Sequence, residues 1–209
     1  MRPSGIVLVG VAWLLAIAEP ALADPTGVPE KFMQVYGFAQ PPYGFVRFCE
    51  RMPQECVPGR ELVQRVKDSP ERIAQLKAVN LAVYHEIKPV TDLELYGEAD
   101  YWTIPTDWGD CEDYVLLKRK RLIALGWPPS ALLITVVRDE LGEGHAVLTA
   151  RTTKADYILD NKIREIKIWS QVPYRFVMRQ SYLNPRVWMS LEPNERSPAV
   201  PLAGVRYAR

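Results

Sequence analysis

The stretch WGDCEDYVLLKRKR, residues 108–121, sets a cysteine among acids: Asp110 precedes Cys111, and Glu112 and Asp113 follow it. Neighbouring carboxylates oppose ionisation of a thiol, so the placement asks for a reason. The stretch reads as a helix running to about Leu125. Asp110 is a good N-cap, Val115 and Leu122 lie on the side of Cys111, and Lys118 to Arg121 are expected mostly in solvent. Gly126 is the stop signal, with Pro128 and Pro129 beyond it. Cys111 thereby falls in the first turn, where unpaired backbone N–H groups carry about half a positive charge. That field is expected to lower the thiol pKa and offset part of the acids' repulsion.

Downstream the texture changes. ALLITVVRD (131–139), HAVLTAR (145–151) and DYILDN (156–161) are β-branched runs separated by the turn-like ELGEG and TTKA, and they read as strands. IREIKIW (163–169), YRFVM (174–178) and the stretch around Val187–Met189 are further β candidates. Upstream, Ser69-Pro70-Glu71 opens a second helix, and Ile73, Leu76, Asn80, Val83 and Ile87 mark its buried face until Lys88-Pro89 ends it. Asn80 within that apolar stripe requires a hydrogen bond. Residues 91–109 read as a long loop of the kind that serves a site. Arg60–Asp68 reads as a short helix, and Asp24–Gly59 as an irregular, aromatic-rich segment with one short strand. Helices first and an antiparallel sheet afterwards indicate an α+β fold with the cysteine helix packed on the sheet.

The chain opens MRPSGIVLVGVAWLLAIAEPALADPTG. An arginine, an uncharged apolar run and Ala21-Leu22-Ala23 read as a secretory signal cut after Ala23, with a retained anchor as the alternative. The expected layout is therefore a signal peptide at 1–23 and a single domain at 24–209, with a periplasmic or secreted location. The net charge of +1 argues against nucleic acid as the main partner. Three cysteines in an exported chain leave one unpaired. Cys49 and Cys56, seven apart around Pro53, suit a local disulfide, which leaves Cys111 as the free thiol.

The chain holds two histidines. His85 reads as an exposed helix-end residue. His145 opens a strand directly after Gly142-Glu143-Gly144, and Asp160 closes the next one. Adjacent antiparallel strands would set His145 beside Asp160. The imidazole would then take the proton of Cys111 while the carboxylate orients the ring. A buried structural cysteine with unrelated polar residues accounts for the same letters without catalysis.

The run from Ala99 to Asn161, with its ordered GDCEDY, GH and LDN motifs, resembles the bacterial transglutaminase-like cysteine peptidases. These are exported enzymes with a papain-like, transglutaminase-like core, among them the LapG-type proteases that clip surface adhesins. The resemblance spans about Cys49–Trp169. It implies Cys111, His145 and Asp160 as the catalytic residues and a protein or peptide as substrate, a cell-surface adhesin being one candidate. It also implies calcium held by Asp110 and Glu112, with Asp113 as a further ligand, and no organic cofactor. A bound dication would answer the opening question by cancelling the acids' field. The backbone N–H of Cys111 is the natural oxyanion donor, joined by the indole of Trp102, with Trp108 as second choice. A membrane-anchored regulator follows by analogy alone. Acyl transfer to an amine, as in a transglutaminase or amidase, and a catalytically inactive peptide-binding module are the competing functions.

Overall fold

The computed structural model describes residues 30–193. The signal expected at 1–23 lies outside the described residues. Among the described residues, nine strands are arranged around four helices. β4 (Leu132–Arg138), β5 (Gly144–Arg151) and β6 (Asp156–Leu159) form the antiparallel meander expected from the β-branched runs. β7 (Lys167–Ile168) extends it on one side. β8 (Arg175–Gln180), β9 (Trp188–Ser190) and β1 (Gly37–Ala39) extend it on the other. The sheet order is β1-β9-β8-β4-β5-β6-β7, and every pair is antiparallel. Of the run 163–169, only β7 is strand.

Alternation along β5 divides the core. Ala146, Leu148 and Ala150 face the helices α2 (Pro70–Glu86) and α4 (Cys111–Ala124), packing with Leu76, Val83, Val115 and Leu122. Val147 faces the other way and packs with Val137, Ile158 and Phe176. In α2, Ser69 caps the Arg72 N–H as its sequence indicates. Asn80 is fully buried, and its amide donates to the carbonyl of Arg164 at 2.8 Å. Gly126 ends α4 with φ of 80°, a conformation glycine adopts without strain.

Four expectations are corrected. The aromatic N-terminal segment contains a helix, α1 (Tyr43–Arg51). A nine-residue helix with one glycine and three aromatics has little intrinsic propensity. It is held by tertiary packing, with the Phe45 ring edge-on to Trp102 and Trp188. Arg60–Asp68 is not helical; it is irregular with several bends, and Val66 bridges to Thr152. The 91–109 loop is partly ordered as α3 (Asp92–Tyr96), closed by a Thr91–Glu94 capping box, and as β3 (Trp108–Gly109), which lies parallel to β2 (Lys88–Pro89). Lys118 and Arg119 are buried, because α4 is covered by the sheet and α2 together. Arg119 donates to the Leu132 carbonyl, while the Lys118 ammonium has no hydrogen-bond acceptor among the described residues. Burial pushes Lys118 down to about 7.

The disulfide forms between Cys49 and Cys56, and Cys111 is the free, buried thiol.

Candidate active site

Cys111 is the first residue of α4, at the end of the helix that packs on β5. The backbone of Ala146, the residue after His145, works to lower the thiol's pKa. His145 is fully buried. Its Nε2 lies 2.9 Å from Asp160 Oδ1, and its Nδ1 meets no hydrogen-bond partner among the described residues. The other Asp160 oxygen accepts from the Tyr174 hydroxyl at 2.6 Å, and the Tyr174 ring stands edge-on to the imidazole. Burial works to raise Asp160, but hydrogen bonding and charge from His145 and the Tyr174 hydroxyl bring its pKa below the ordinary value. The sequence therefore placed His145 and Asp160 together correctly. It missed Tyr174, which had registered only as part of a strand.

The thiol does not meet the imidazole in this arrangement; it donates to Glu112 Oε2 at 3.0 Å. Its pKa is pushed well up, first by burial, then by the charges of Glu112 and Asp110. That reverses the expected lowering by the helix terminus. Desolvating a thiolate beside two carboxylates outweighs a fraction of a charge from the helix. Asp110 stands at the N-cap position but makes no side-chain cap bond. Its carboxylate lies among other acids instead.

It belongs to a buried acidic cluster. Carboxylate oxygens of Asp92, Asp110 and Asp113 lie within 4.8 Å of one another, as do ligand atoms of Asp110, Cys111 and Glu112. Burial and mutual repulsion push all four carboxyls up: Asp92 to about 7, Glu112 and Asp113 well above the usual range. Asp113 is anchored by the Thr103 N–H at 2.8 Å and Asp92 by the Tyr101 N–H. Gly109 is required here, since a β-carbon would stand 2.6 Å from Asp113 Oδ2. Each acid still keeps one buried oxygen without a donor: Asp92 Oδ1, Asp110 Oδ1, Glu112 Oε1 and Asp113 Oδ2. The converging oxygens of Asp92, Asp110 and Asp113, with Glu112 grouped on Asp110, fit a divalent cation such as Ca²⁺. Asp92 was missed from sequence, because an acid in a loop is normally solvent-exposed. The one available signal was its place in a long, acid-rich loop.

Trp102 has a different job from the one expected. It is fully buried, and its indole N–H donates to Asp100 Oδ1 at 2.7 Å. Asp100 also accepts from the Gly44 N–H at 2.8 Å, so it ties the loop to α1. The indole is thus committed away from an oxyanion. Trp108 is half-exposed, with the Lys88 ammonium over its ring.

A single unpaired cysteine at a helix start, facing a strand that bears a buried histidine, is the layout of a thiol enzyme on a transglutaminase-like α+β scaffold. The family model for bacterial transglutaminase-like cysteine proteinases matches residues 35–196. The chain belongs to that family and is a cysteine peptidase, so its substrate is a protein. Among solved structures it is similar to Legionella pneumophila LapG in two forms. The calcium-bound form is 29% identical with a TM-score of 0.49, covering 63% of this chain and 75% of that one. The EGTA-treated form is 28% identical with a TM-score of 0.48, covering 59% and 69%. No match was found among curated proteins.

Proposed function

We propose that this peptidase is exported and cleaves its protein substrate with Cys111 as nucleophile, His145 as general base and Asp160 as the group that orients the ring. The observation that carries the reading is the buried Nδ1 of His145, without a partner among the described residues, on the strand that packs against the Cys111 helix. With Nε2 held by Asp160, Nδ1 is the nitrogen available to take the thiol proton. The thiolate adds to the peptide carbonyl, and the imidazolium returns the proton to the departing amine. His145 then deprotonates the water that releases the acyl group as a carboxylate. Tyr174 fixes the second Asp160 oxygen, so the carboxylate cannot turn away from the ring.

Asp92, Asp110, Glu112 and Asp113 are the residues that would hold Ca²⁺. Its charge would offset the acids' field at the sulfur and occupy Glu112, the present acceptor of the thiol proton. An extended segment of a surface protein, such as an adhesin, is the substrate that the motif resemblance supplies, and a membrane-anchored regulator has the same standing. The leader at 1–23 supplies export.

Alkylation tests the catalytic reading directly. Iodoacetamide labelling of Cys111 in Ca²⁺ is expected to slow roughly 100-fold in His145→Ala, with a smaller loss in Asp160→Asn. Labelling indifferent to both substitutions removes His145 from the chemistry. Comparing surface and medium proteins from cells carrying active protein or Cys111→Ala identifies the substrate. Incorporation of a labelled amine without cleavage would replace hydrolysis by acyl transfer.

A further inference from the structure

The sheet face turned away from α2 and α4 carries a second feature, remote from the cysteine. On β5, His145 and Arg151 occupy the two ends, six residues or ~20 Å apart at ~3.3 Å per residue. Beside Arg151 opens a cavity of about 640 Å³, a volume suited to a small molecule. Its apolar wall is formed by Met33, Val35, Phe38, Leu183, Val187 and Met189. Three arginines also line it: Arg65, Arg151 and Arg179.

These guanidiniums are poorly matched by anions. Arg151 and Arg179 are only 3% and 5% exposed. On both, Nε and Nη1 are buried without a hydrogen-bond acceptor among the described residues. The nearby acid is Asp156, and it is already committed. It accepts from Arg65 Nη1 at 2.7 Å and from the Met33 N–H at 2.8 Å, while Arg151 Nε stands off at 3.8 Å. Gln180, also in the lining, spends its amide on Ile134 and Pro185. Burial, then the charges of Arg179 and Arg65, push Arg151 down to about 10. Among the described residues, two buried guanidiniums thus share with Arg65 a single carboxylate that Arg65 already holds, a costly arrangement.

We propose that this cavity binds a small amphipathic anion, its carboxylate or phosphate head received by Arg151 and Arg179 and its apolar body lying along the methionine- and leucine-lined wall. The two guanidiniums supply directed N–H donors for an oxyanion, and the wall removes a short hydrocarbon chain from water. The site is separate from the peptidase centre and does not rest on the mechanism proposed for it.

Octanoate, octyl phosphate and uncharged octanol, titrated calorimetrically into the purified protein, test this. At least one of the two anions should bind saturably and raise the Tm, and octanol should bind at least tenfold more weakly. The tighter of the two anions names the head group. Arg179→Met should weaken anion binding at least tenfold while the empty variant melts at or above the parent temperature, because an unmatched buried charge has gone. Arg179→Gln, which keeps a polar group, should lose binding in the same way if the methionine variant fails to fold. Arg47→Met, in an exposed ion pair with Glu50, should leave binding unchanged. Saturable binding by neither anion, octanol binding equal to theirs, or full affinity in both Arg179 variants would overturn the proposal.

Discussion

Calcium chelation should make this protein's stability fall as pH rises from 5 to 7. Asp92 has its pKa raised from 3.8 to about 7, by burial first and then by the charge of Asp110. In that window the folded protein keeps the Asp92 proton and the unfolded chain has lost it. A group raised in this sense contributes stability that is complete below its unfolded pKa and disappears as pH climbs through the folded one. Each pH unit costs about 1.4 kcal/mol, so Asp92 alone removes about 2 kcal/mol between pH 5 and 7. For a domain of this size that is a Tm drop of roughly 4–8 °C. Asp110, Glu112 and Asp113 are raised too and push in the same direction. Bound Ca²⁺ replaces the protons, so CaCl₂ should raise the Tm strongly at pH 7 and little at pH 5. Scanning calorimetry in EGTA and in CaCl₂ at several pH values is the assay. An EGTA profile that is flat or rises from pH 5 to 7, or a calcium gain equal at both ends, refutes the reasoning.

Lys118→Met removes a buried ammonium that has no acceptor among the described residues; unfolding free energy at pH 6, from urea melts, should rise by an amount on the order of a few kcal/mol. The parent's gain in stability above pH 7, where folded Lys118 is neutral and the unfolded chain still protonated, should vanish in that variant. Gly109→Ala drives a methyl into Asp113, so denaturant melts should show a loss of about 1–3 kcal/mol and a Tm that no longer responds to calcium. Trp102→Phe strands Asp100 and should cost about 1–3 kcal/mol of stability with little change in kcat; a roughly 100-fold fall in kcat would restore the indole as an oxyanion donor. Reducing Cys49–Cys56 should cost about 2 kcal/mol, read as a lower urea midpoint with Cys111 blocked in both samples.

Sequence patterns served best where a residue's role follows from near neighbours. Ser69-Pro70 marks the start of α2 because a cap acts within one turn, and β-branched runs bounded by turn-like stretches revealed β4, β5 and β6. His145 beside Asp160 was legible because a short hairpin allows few registers. α1 escaped notice because its stability comes from Trp102 and Trp188, far along the chain. Lys118 looked solvent-exposed because nothing local says that both sides of α4 are covered.

What the sequence determined by itself was the α+β order, the disulfide, the lone thiol and the residues able to serve it. Tertiary structure alone decided what surrounds that thiol: Asp92 brought from α3 to the start of α4, Tyr174 onto Asp160, and Trp102 away to Asp100. The physical reason is range. Caps, turns and alternation act within a few residues, whereas desolvation and charge repulsion depend on what the whole chain folds against a group. Hence Cys111, favourably placed by its own helix, has its thiolate disfavoured by its tertiary surroundings.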